Sequence, residues 1–212
     1  MRVLVVDDDR DVAESLGIRT DAYMTDCLVE QNIAYRCNCG GLNMKYYDNH
    51  AINNVVVDIP PIQDVDIEGN PITLSFGHIS VMGVFPRDEM PPGSSARVER
   101  NIIYKTDATQ PFYREARRGG DRAELGVENC AADANLYYAP AEPDLGQGHL
   151  ARYQALGLDT NSVIADPGFI DLVGGDFRLR ADSPALALGI ESIDTSGIGL
   201  IASLPHFEDL GG

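Results

Sequence analysis

Four short segments of this chain place an asparagine in the same apolar frame. They read VEQNIAY (29–35), INNVVV (52–57), VERNIIY (98–104) and ANLYY (134–138). Asn32 and Asn54 are 22 residues apart, and a unit that recurs at such a period indicates a stacked repeat fold. In a β-solenoid the asparagine turns a corner in the left-handed backbone conformation that it tolerates, and it hydrogen-bonds along the stack. We therefore expect the aliphatic residues after each asparagine to enter a shared core.

The spacing of the later units is uneven. Asn101 follows Asn54 by 47 residues and Asn135 follows Asn101 by 34, so at least one turn of the stack must carry a long excursion. Between Asn54 and Asn101, residues 78–82 are expected to supply one further turn. The alternative is that these asparagines mark ordinary turns between antiparallel strands.

Composition excludes several classes of protein. The chain has 212 residues and a formal net charge of −17, which argues against a nucleic-acid partner because phosphate backbones require clustered Lys and Arg. No apolar stretch approaches the roughly 18 residues of a membrane span, so no membrane partner is expected. The opening MRVLVVDDDR lacks the features of a secretion signal, which leaves the localisation open. The four cysteines lack the spacing of a zinc site and are expected to be mainly buried hydrophobes.

Two segments in the first quarter of the chain align at a shift of 24 residues. GIRTDAY (17–23) matches GLNMKYY (41–47), and strand alternation puts Ile18 with Leu42, and Thr20 with Met44, on the buried face. The opposite face is expected to present three stacked pairs: Arg19 with Asn43, Asp21 with Lys45, and Tyr23 with Tyr47.

A sheet face with this composition is suited to sugars. Carboxylates and amides hold hydroxyl groups, aromatic rings stack on pyranose faces and a cation neutralises a uronate. The predicted catalytic residues are Asp21, Lys45, Asp48 and His50. The predicted substrate-binding residues are Arg19, Tyr23, Asn43, Tyr47, Tyr113 and Glu115. No metal site is predicted.

Two reactions fit these residues. In a lyase, Lys45 or Arg19 would neutralise the uronate and Lys45, His50 or Tyr47 would take the proton from C5, with Ca²⁺ as a conceivable cofactor. In a hydrolase, two carboxylates, Asp21 with Asp48 or Glu115, would serve as acid and base or nucleophile. Otherwise no cofactor is expected. The structural alternatives are a cross-strand ion pair of Asp21 and Lys45, a tyrosine ladder without ligand, and turns at Asp48 and His50.

Residues 1–16, MRVLVVDDDRDVAESL, resemble the start of a response-regulator receiver domain. That resemblance implies an acidic Mg²⁺ site at Asp7, Asp8 and Asp9, a phosphorylated aspartate at Asp58 and a partner lysine at Lys105. The strand–helix alternation of such a fold is not visible after residue 16, so a phospho-accepting receiver is kept as the second alternative.

The segments DANLYYAP, ARYQALGLDTNSVIADPGFID, GGDFRLRADSPALALGI and IDTSGIGL, within residues 133–200, carry a second resemblance. They resemble the closing coils of right-handed parallel β-helix proteins of the pectate-lyase-like, carbohydrate-active group. The resemblance implies a short helix after Asn-Leu-Tyr-Tyr, a turn at Asp-Pro-x-Phe, a strand at Asp-Phe-Arg-Leu and a Ser-Pro-Ala helix that caps the barrel. It also implies a secreted or periplasmic protein.

These observations predict one all-β domain over residues 1–212, a right-handed parallel β-helix truncated at its N-terminal end. Residues 1–16 form an opening strand and turn, 17–182 the coils, and 183–212 a cap and tail in which Ala185, Leu186 and Leu188 cover the open end. The expected ligand is a polysaccharide, cut by a hydrolase or lyase in a groove on one sheet. A non-catalytic glycan-binding or structural module is the alternative, and a homo-oligomer would cover the N-terminal coil.

Overall fold

The computed structural model describes residues 4–6, 17–20, 24–37, 40–45, 48–65, 68–74, 77–82, 96–113, 130–142 and 144–195. Most of the regular structure in these residues is β-strand, as predicted. The helical elements within them are a π-helix at Gly146–Leu150, α1 at Ala151–Gln154 and α2 at Pro184–Ala187. None of these helices is long and apolar enough to cross a membrane.

Sheet A contains six strands that are all parallel, in the order β1-β4-β7-β12-β14-β15. Its strands are β1 (Leu4–Val6), β4 (Ile33–Tyr35), β7 (Val55–Val57), β12 (Ile102–Tyr104), β14 (Leu136–Tyr138) and β15 (Val163–Ile164). Four of these strands begin directly after a repeat asparagine, so the repeat units occupy equivalent places in one sheet. Parallel pairing rules out the alternative of antiparallel turns at these asparagines.

Two further parallel sheets alternate with sheet A along the chain. Sheet B has the order β10-β5-β2 and sheet C the order β13-β11-β6-β3. The strands of sheet B are β2 (Ile18–Arg19), β5 (Leu42–Lys45) and β10 (Ile79–Met82). Those of sheet C are β3 (Leu28–Glu30), β6 (His50–Ile52), β11 (Arg97–Glu99) and β13 (Ala131–Asp133).

The register of sheet B confirms the alignment at a shift of 24 residues. Ile18 pairs with Leu42 and Arg19 with Asn43, and the predicted further strand joins them as β10, with Ile79 opposite Leu42. Thr20 and Met44 are buried, as the alternation required.

Two antiparallel hairpins are attached to the parallel sheets. The strands are β8 (Ile62–Val65) with β9 (Pro71–Leu74), and β16 (Phe169–Asp171) with β17 (Asp176–Leu179). The first hairpin lies between Asn54 and Asn101, so it accounts for part of the long excursion expected there.

The four repeat asparagines form one continuous hydrogen-bonded ladder. The Nδ2 atom of Asn32 donates to Oδ1 of Asn54 (2.9 Å), that of Asn54 to Asn101 (2.9 Å), and that of Asn101 to Asn135 (3.2 Å). Each of the three accepting Oδ1 atoms also receives the backbone N–H of the preceding asparagine. All four side chains are buried, so the ladder satisfies amides that water does not reach.

The corner residue is the one before each ladder asparagine, and not the asparagine itself as expected. Gln31, Asn53, Arg100 and Ala134 have φ between 53° and 54°. The left-handed conformation of this residue bends the chain between a strand of sheet C and a strand of sheet A. The side chain of the following asparagine then points into the buried ladder.

A buried carboxylate terminates the ladder. Asp159 Oδ1 accepts hydrogen bonds from Asn135 Nδ2 (3.0 Å) and Ser162 Oγ (2.7 Å), and Oδ2 accepts one from the Tyr137 hydroxyl (2.9 Å). An ionised carboxylate can only accept, so it requires Asn135 to present its NH₂ group. That requirement sets the direction of every amide along the ladder.

The interior core lies between the three sheets. It contains Ala34, Val56, Ile103 and Tyr137, the middle residues of four strands of sheet A, together with Val29, Ala51, Val98 and Ala132 of sheet C. Cys37 and Cys130 are buried in it, and Cys27 is partly exposed. Cys39 lies outside the described residues.

The C-terminal segment (166–195) covers the outer face of sheet A, so the prediction that it caps the open end was wrong. Ala185 and Ile190 share a second apolar cluster with residues of β4, β7, β12 and β14 that point away from the interior. The Glu191 N–H donates to Asn53 Oδ1 (2.6 Å), and Leu186 is exposed. The reason is the outward apolar row of sheet A (Ile33, Val55, Ile102 and Leu136), whose burial stabilises the fold by about 25 cal/mol per Å².

The segment after β14 packs against the interior core instead. Leu145, Leu150, Tyr153 and Leu158 all belong to the interior cluster. Residues 145–158, which contain the π-helix and α1, thus contribute apolar side chains to the interior core.

Asp159→Asn tests the end of the ladder. Burial raises the pKa of Asp159 although three hydrogen bonds lower it, so the folded state keeps this proton to a higher pH than the unfolded state. The contribution of Asp159 to the free energy of unfolding therefore falls as pH rises from about 3.9, the usual pKa, through the folded value. We expect urea denaturation to show that wild type loses stability relative to Asp159→Asn across this range.

Asp107→Asn is the matched control with the opposite sign. Hydrogen bonds from the Thr109 hydroxyl and backbone lower the pKa of Asp107. Wild type should therefore gain stability relative to this variant as pH rises from that lowered pKa to about 3.9, immediately below the range in which Asp159 acts. A pH-independent difference between wild type and Asp159→Asn would contradict the assignment of Asp159.

Candidate functional site

The outer face of sheet C carries polar side chains that are exposed or partly exposed among the described residues. Along each strand the middle residue points to the core, and the two flanking residues are exposed or partly exposed. We call these outward residues the outer strip: Leu28, Glu30, His50, Ile52, Arg97, Glu99, Ala131 and Asp133. Since neighbouring parallel strands lie about 4.8 Å apart, the strip repeats its side chains at a regular interval.

Three side chains at the centre of the outer strip contact one another. Arg97 lies opposite His50 in the register. The Arg97 guanidinium donates from Nε (3.2 Å) and Nη2 (2.7 Å) to Glu99 Oε1. The other carboxylate oxygen, Oε2, lies 3.3 Å from His50 Nε2. Glu99 therefore links the guanidinium and the imidazole.

His50 is uncharged at neutral pH. Burial lowers the pKa of its imidazole and the charge of Arg97 lowers it further, while the Glu99 carboxylate partly opposes both effects. Because the net pKa lies below the ordinary value of 6.5, His50 is a neutral imidazole. Its Nε2 atom is buried against Glu99 and is not offered to a ligand.

Asp133 is held at the C-terminal side of the strip. Its carboxylate accepts hydrogen bonds from the backbone N–H and the Nδ2 atom of Asn161, each at 2.7 Å. Burial alone would raise the pKa of Asp133, but these hydrogen bonds outweigh it and the pKa is lowered. Asp133 is therefore an ionised hydrogen-bond acceptor at neutral pH.

The strip can bind hydroxyl groups without a metal. Carboxylates accept hydrogen bonds from hydroxyl groups, the guanidinium donates them, and a neutral imidazole does both. In the part of the chain that the structure describes, no group of three or more His, Cys, Asp or Glu side chains is placed to hold a metal ion.

The sequence alone did not identify this face, although it contains a signal for it. Glu30, Glu99 and Asp133 each stand two residues before a ladder asparagine, in the frames VEQN, VERN and ADAN. In each frame the first residue is apolar and is expected to be buried. Since side chains alternate along a strand, the acidic residue that follows it lies on the outer face in all three frames. The prediction was based instead on the aligned segments GIRTDAY (17–23) and GLNMKYY (41–47).

The face predicted from the sequence belongs to sheet B. The backbones of Arg19 and Asn43 pair as expected, and Lys45 pairs with Met82. Asn43 is only 5% exposed and its neighbour Ser80 only 1%, so this face is closed at those two positions. Asp21, Tyr23, Tyr47 and Glu115 lie outside the described residues, and the side chains of Arg19 and Lys45 are likewise not described.

The predicted catalytic residues are distributed over different elements. Lys45 ends β5 in sheet B, whereas His50 begins β6 in sheet C. Asp48, between them, is an exposed corner residue with φ of 57°, followed by the buried Asn49, whose Oδ1 accepts the Cys27 N–H. The chain thus turns from one sheet to the next at Asp48, so Lys45 and His50 belong to two different sheets.

The expected position of Tyr113 in a sugar-binding groove was wrong. Tyr113 forms a parallel bridge with Ile79 and shares the buried column of Ile18 and Leu42. Its side chain is 2% exposed, and its hydroxyl lies 2.8 Å from that of Tyr137. Tyr113 therefore lies in the buried row of Ile79, and the alternation assumed from the sequence does not apply at this position.

A buried aromatic cluster surrounds His149. Its ring centroid lies 4.6 Å from that of Phe112, 4.9 Å from Tyr137 and 4.5 Å from Tyr153. Burial, with the nearby charges of Lys105 and Arg152, lowers the pKa of His149 to about 3. The cluster belongs to the interior packing and has no counterpart among the sequence motifs.

The residues of the receiver alternative have structural partners. Asp58 accepts hydrogen bonds from the Thr106 N–H (2.6 Å) and hydroxyl (3.0 Å). Lys105 is buried, donates to the Gln110 carbonyl (2.7 Å) and pairs with Glu142 (2.5 Å). Asp7, Asp8 and Asp9 lie outside the described residues.

No family model matches the chain, and comparisons with curated proteins and with solved structures gave no match either.

The contacts of His50 predict two opposite pKa shifts. Glu99→Gln removes a charge that raises the pKa of His50, so the pKa should fall. Arg97→Ala removes a charge that lowers it, so the pKa should rise. NMR titration of the imidazole resonances measures both. His78, buried with a pKa of about 4, is the internal control and should not respond. Shifts of the same sign in both variants would contradict the geometry of this cluster.

Proposed function

We propose that this chain is a right-handed parallel β-helix that binds a polysaccharide along the outer strip. The support for the fold is that three corner residues with positive φ recur after 22 residues. Asp26, Gln31 and Arg36 have positive φ, and so do Asp48, Asn53 and Asp58, each 22 residues later. Parallel register in three sheets and the asparagine ladder agree with one stacked turn upon another.

The observation that carries the proposed function is the difference between the outer faces of the sheets. The C-terminal segment covers the outer face of sheet A with apolar contacts, and Asn43 and Ser80 close the middle of sheet B. Each of the four strands of sheet C keeps at least one exposed or partly exposed polar side chain on this face. An open polar face on a rigid sheet favours a ligand that is itself extended and polar.

The strip fits a linear polymer. Its strands repeat at about 4.8 Å, so a chain laid across them meets a carboxylate or imidazole on successive strands. Polysaccharides present hydroxyl groups at regular intervals along their length. Leu28 and Ile52 add apolar surface next to these polar groups, which suits the apolar faces of sugar rings.

The protonation states of two strip residues argue against a hydrolase. A glycosidase needs a protonated acid next to the glycosidic oxygen. The lowered pKa values of Asp133 and His50 leave neither group protonated at neutral pH. A neutral imidazole can still act as the base of an elimination. A non-catalytic glycan-binding module is therefore preferred over a hydrolase, and the assay below distinguishes binding from elimination.

The test is affinity electrophoresis across neutral and acidic polysaccharides. Wild type should be retarded by at least one. Glu99→Gln should bind about tenfold more weakly, because one charged hydrogen-bond acceptor is lost. Asp182→Asn is the matched control, since Asp182 is exposed on the C-terminal segment, and it should bind like wild type.

Reducing-end release and ultraviolet absorbance are followed in parallel. Release with absorbance indicates a lyase, and release without absorbance indicates a hydrolase. Absence of retardation by any polysaccharide, from a protein shown to be folded, would overturn the proposed function.

A further inference from the structure

Building on the proposed function, we infer that the polysaccharide bound by the outer strip is uncharged, and not a polyuronate. The inference concerns the same site and adds the class of ligand. It follows from the charges that the strip leaves available and from those that it already uses internally.

The positive charge of the strip is already neutralised. Its one guanidinium, that of Arg97, makes two hydrogen bonds to a single oxygen of Glu99. His50 is uncharged at neutral pH because it is partly buried and lies near Arg97. A uronate carboxylate that reached the strip would therefore have to displace Glu99 from Arg97, which leaves one carboxylate without its partner.

The negative charge of the strip is in excess. Three carboxylates (Glu30, Glu99 and Asp133) against one guanidinium (Arg97) leave a formal charge of −2. The charged corner residues next to these strands do not make the net charge of the strip positive. Asp26 and Asp48 precede β3 and β6, whereas Arg100 follows β11.

The rest of the molecule adds to this repulsion. The chain carries a formal net charge of −17, so a polyanion is repelled before it reaches the strip, most strongly at low ionic strength. A Ca²⁺ bridge would cancel the repulsion, but no described group of three or more acidic or histidine side chains is arranged to hold a metal ion.

An uncharged glycan meets none of these costs. Its hydroxyl groups donate to Glu30, Glu99 and Asp133 and accept from the free N–H groups of Arg97, so the Arg97–Glu99 pair stays intact. Binding of this kind has little ionic component and should depend weakly on salt.

The experiment compares a neutral β-glucan and a neutral xylan with polygalacturonate, at 20 mM and at 300 mM NaCl, with and without CaCl₂. Wild type should bind a neutral glycan at both salt concentrations and should not bind polygalacturonate. Glu99→Gln releases Arg97, so it should bind the neutral glycan about tenfold more weakly and should gain measurable binding to polygalacturonate at low salt. Asp182→Asn should behave as wild type with every ligand.

The two proposals fail in different ways. If wild type binds polygalacturonate more tightly than the neutral glycans, with or without Ca²⁺, the inference about charge is overturned and the proposed function stands. If wild type binds no glycan, both are overturned. If Glu99→Gln gains no binding to polygalacturonate, the inference that Glu99 prevents Arg97 from binding a uronate is contradicted.

Discussion

The asparagine ladder is the constraint on which the rest of this structure depends. A buried amide that loses its partner costs about 1–3 kcal/mol, and each ladder amide finds its partners on the next turn of the chain. Asn54, for example, donates to Asn101 and accepts from Asn32. A slip of one residue in any strand would break these contacts and turn the core residues outward. The ladder therefore fixes the register of sheets A and C together.

A fixed register determines which side chains each sheet presents on its outer face. The outward residues of sheet A are apolar, aliphatic or aromatic, so they pack against the C-terminal segment, with the ring of Phe177 5.1 Å from that of Tyr35. The outward residues of sheet C include Glu30, His50 and Arg97, which gain nothing from such a cover. Each repeat unit thus contributes to the core, the outer face and the ladder. Alternate residues of its short strand point to the core or to the outer face, and the asparagine that follows the strand joins the ladder.

The sequence predicted the features that local patterns determine. The spacing of Asn32 and Asn54 and the shift between Ile18 and Leu42 gave the strand pairs that the structure contains. The errors arose where long-range packing decides. Nothing near Ala185 indicates that it packs on sheet A rather than on the end expected from the sequence, and nothing near Tyr113 indicates that its side chain is buried. The open face was missed because whether a face is covered depends on segments more than 100 residues away, such as Glu191 beside Asn53.

The central claim is that the ligand lies on sheet C. The most direct measurement is an NMR titration of the assigned amide resonances with the neutral oligosaccharide that binds best. The account predicts that the shifts concentrate at residues 28–30, 50–52, 97–99 and 131–133. Shifts concentrated instead at residues 18–19, 42–45 and 79–82, the strands of sheet B, would contradict it and would return the site to the face around Lys45.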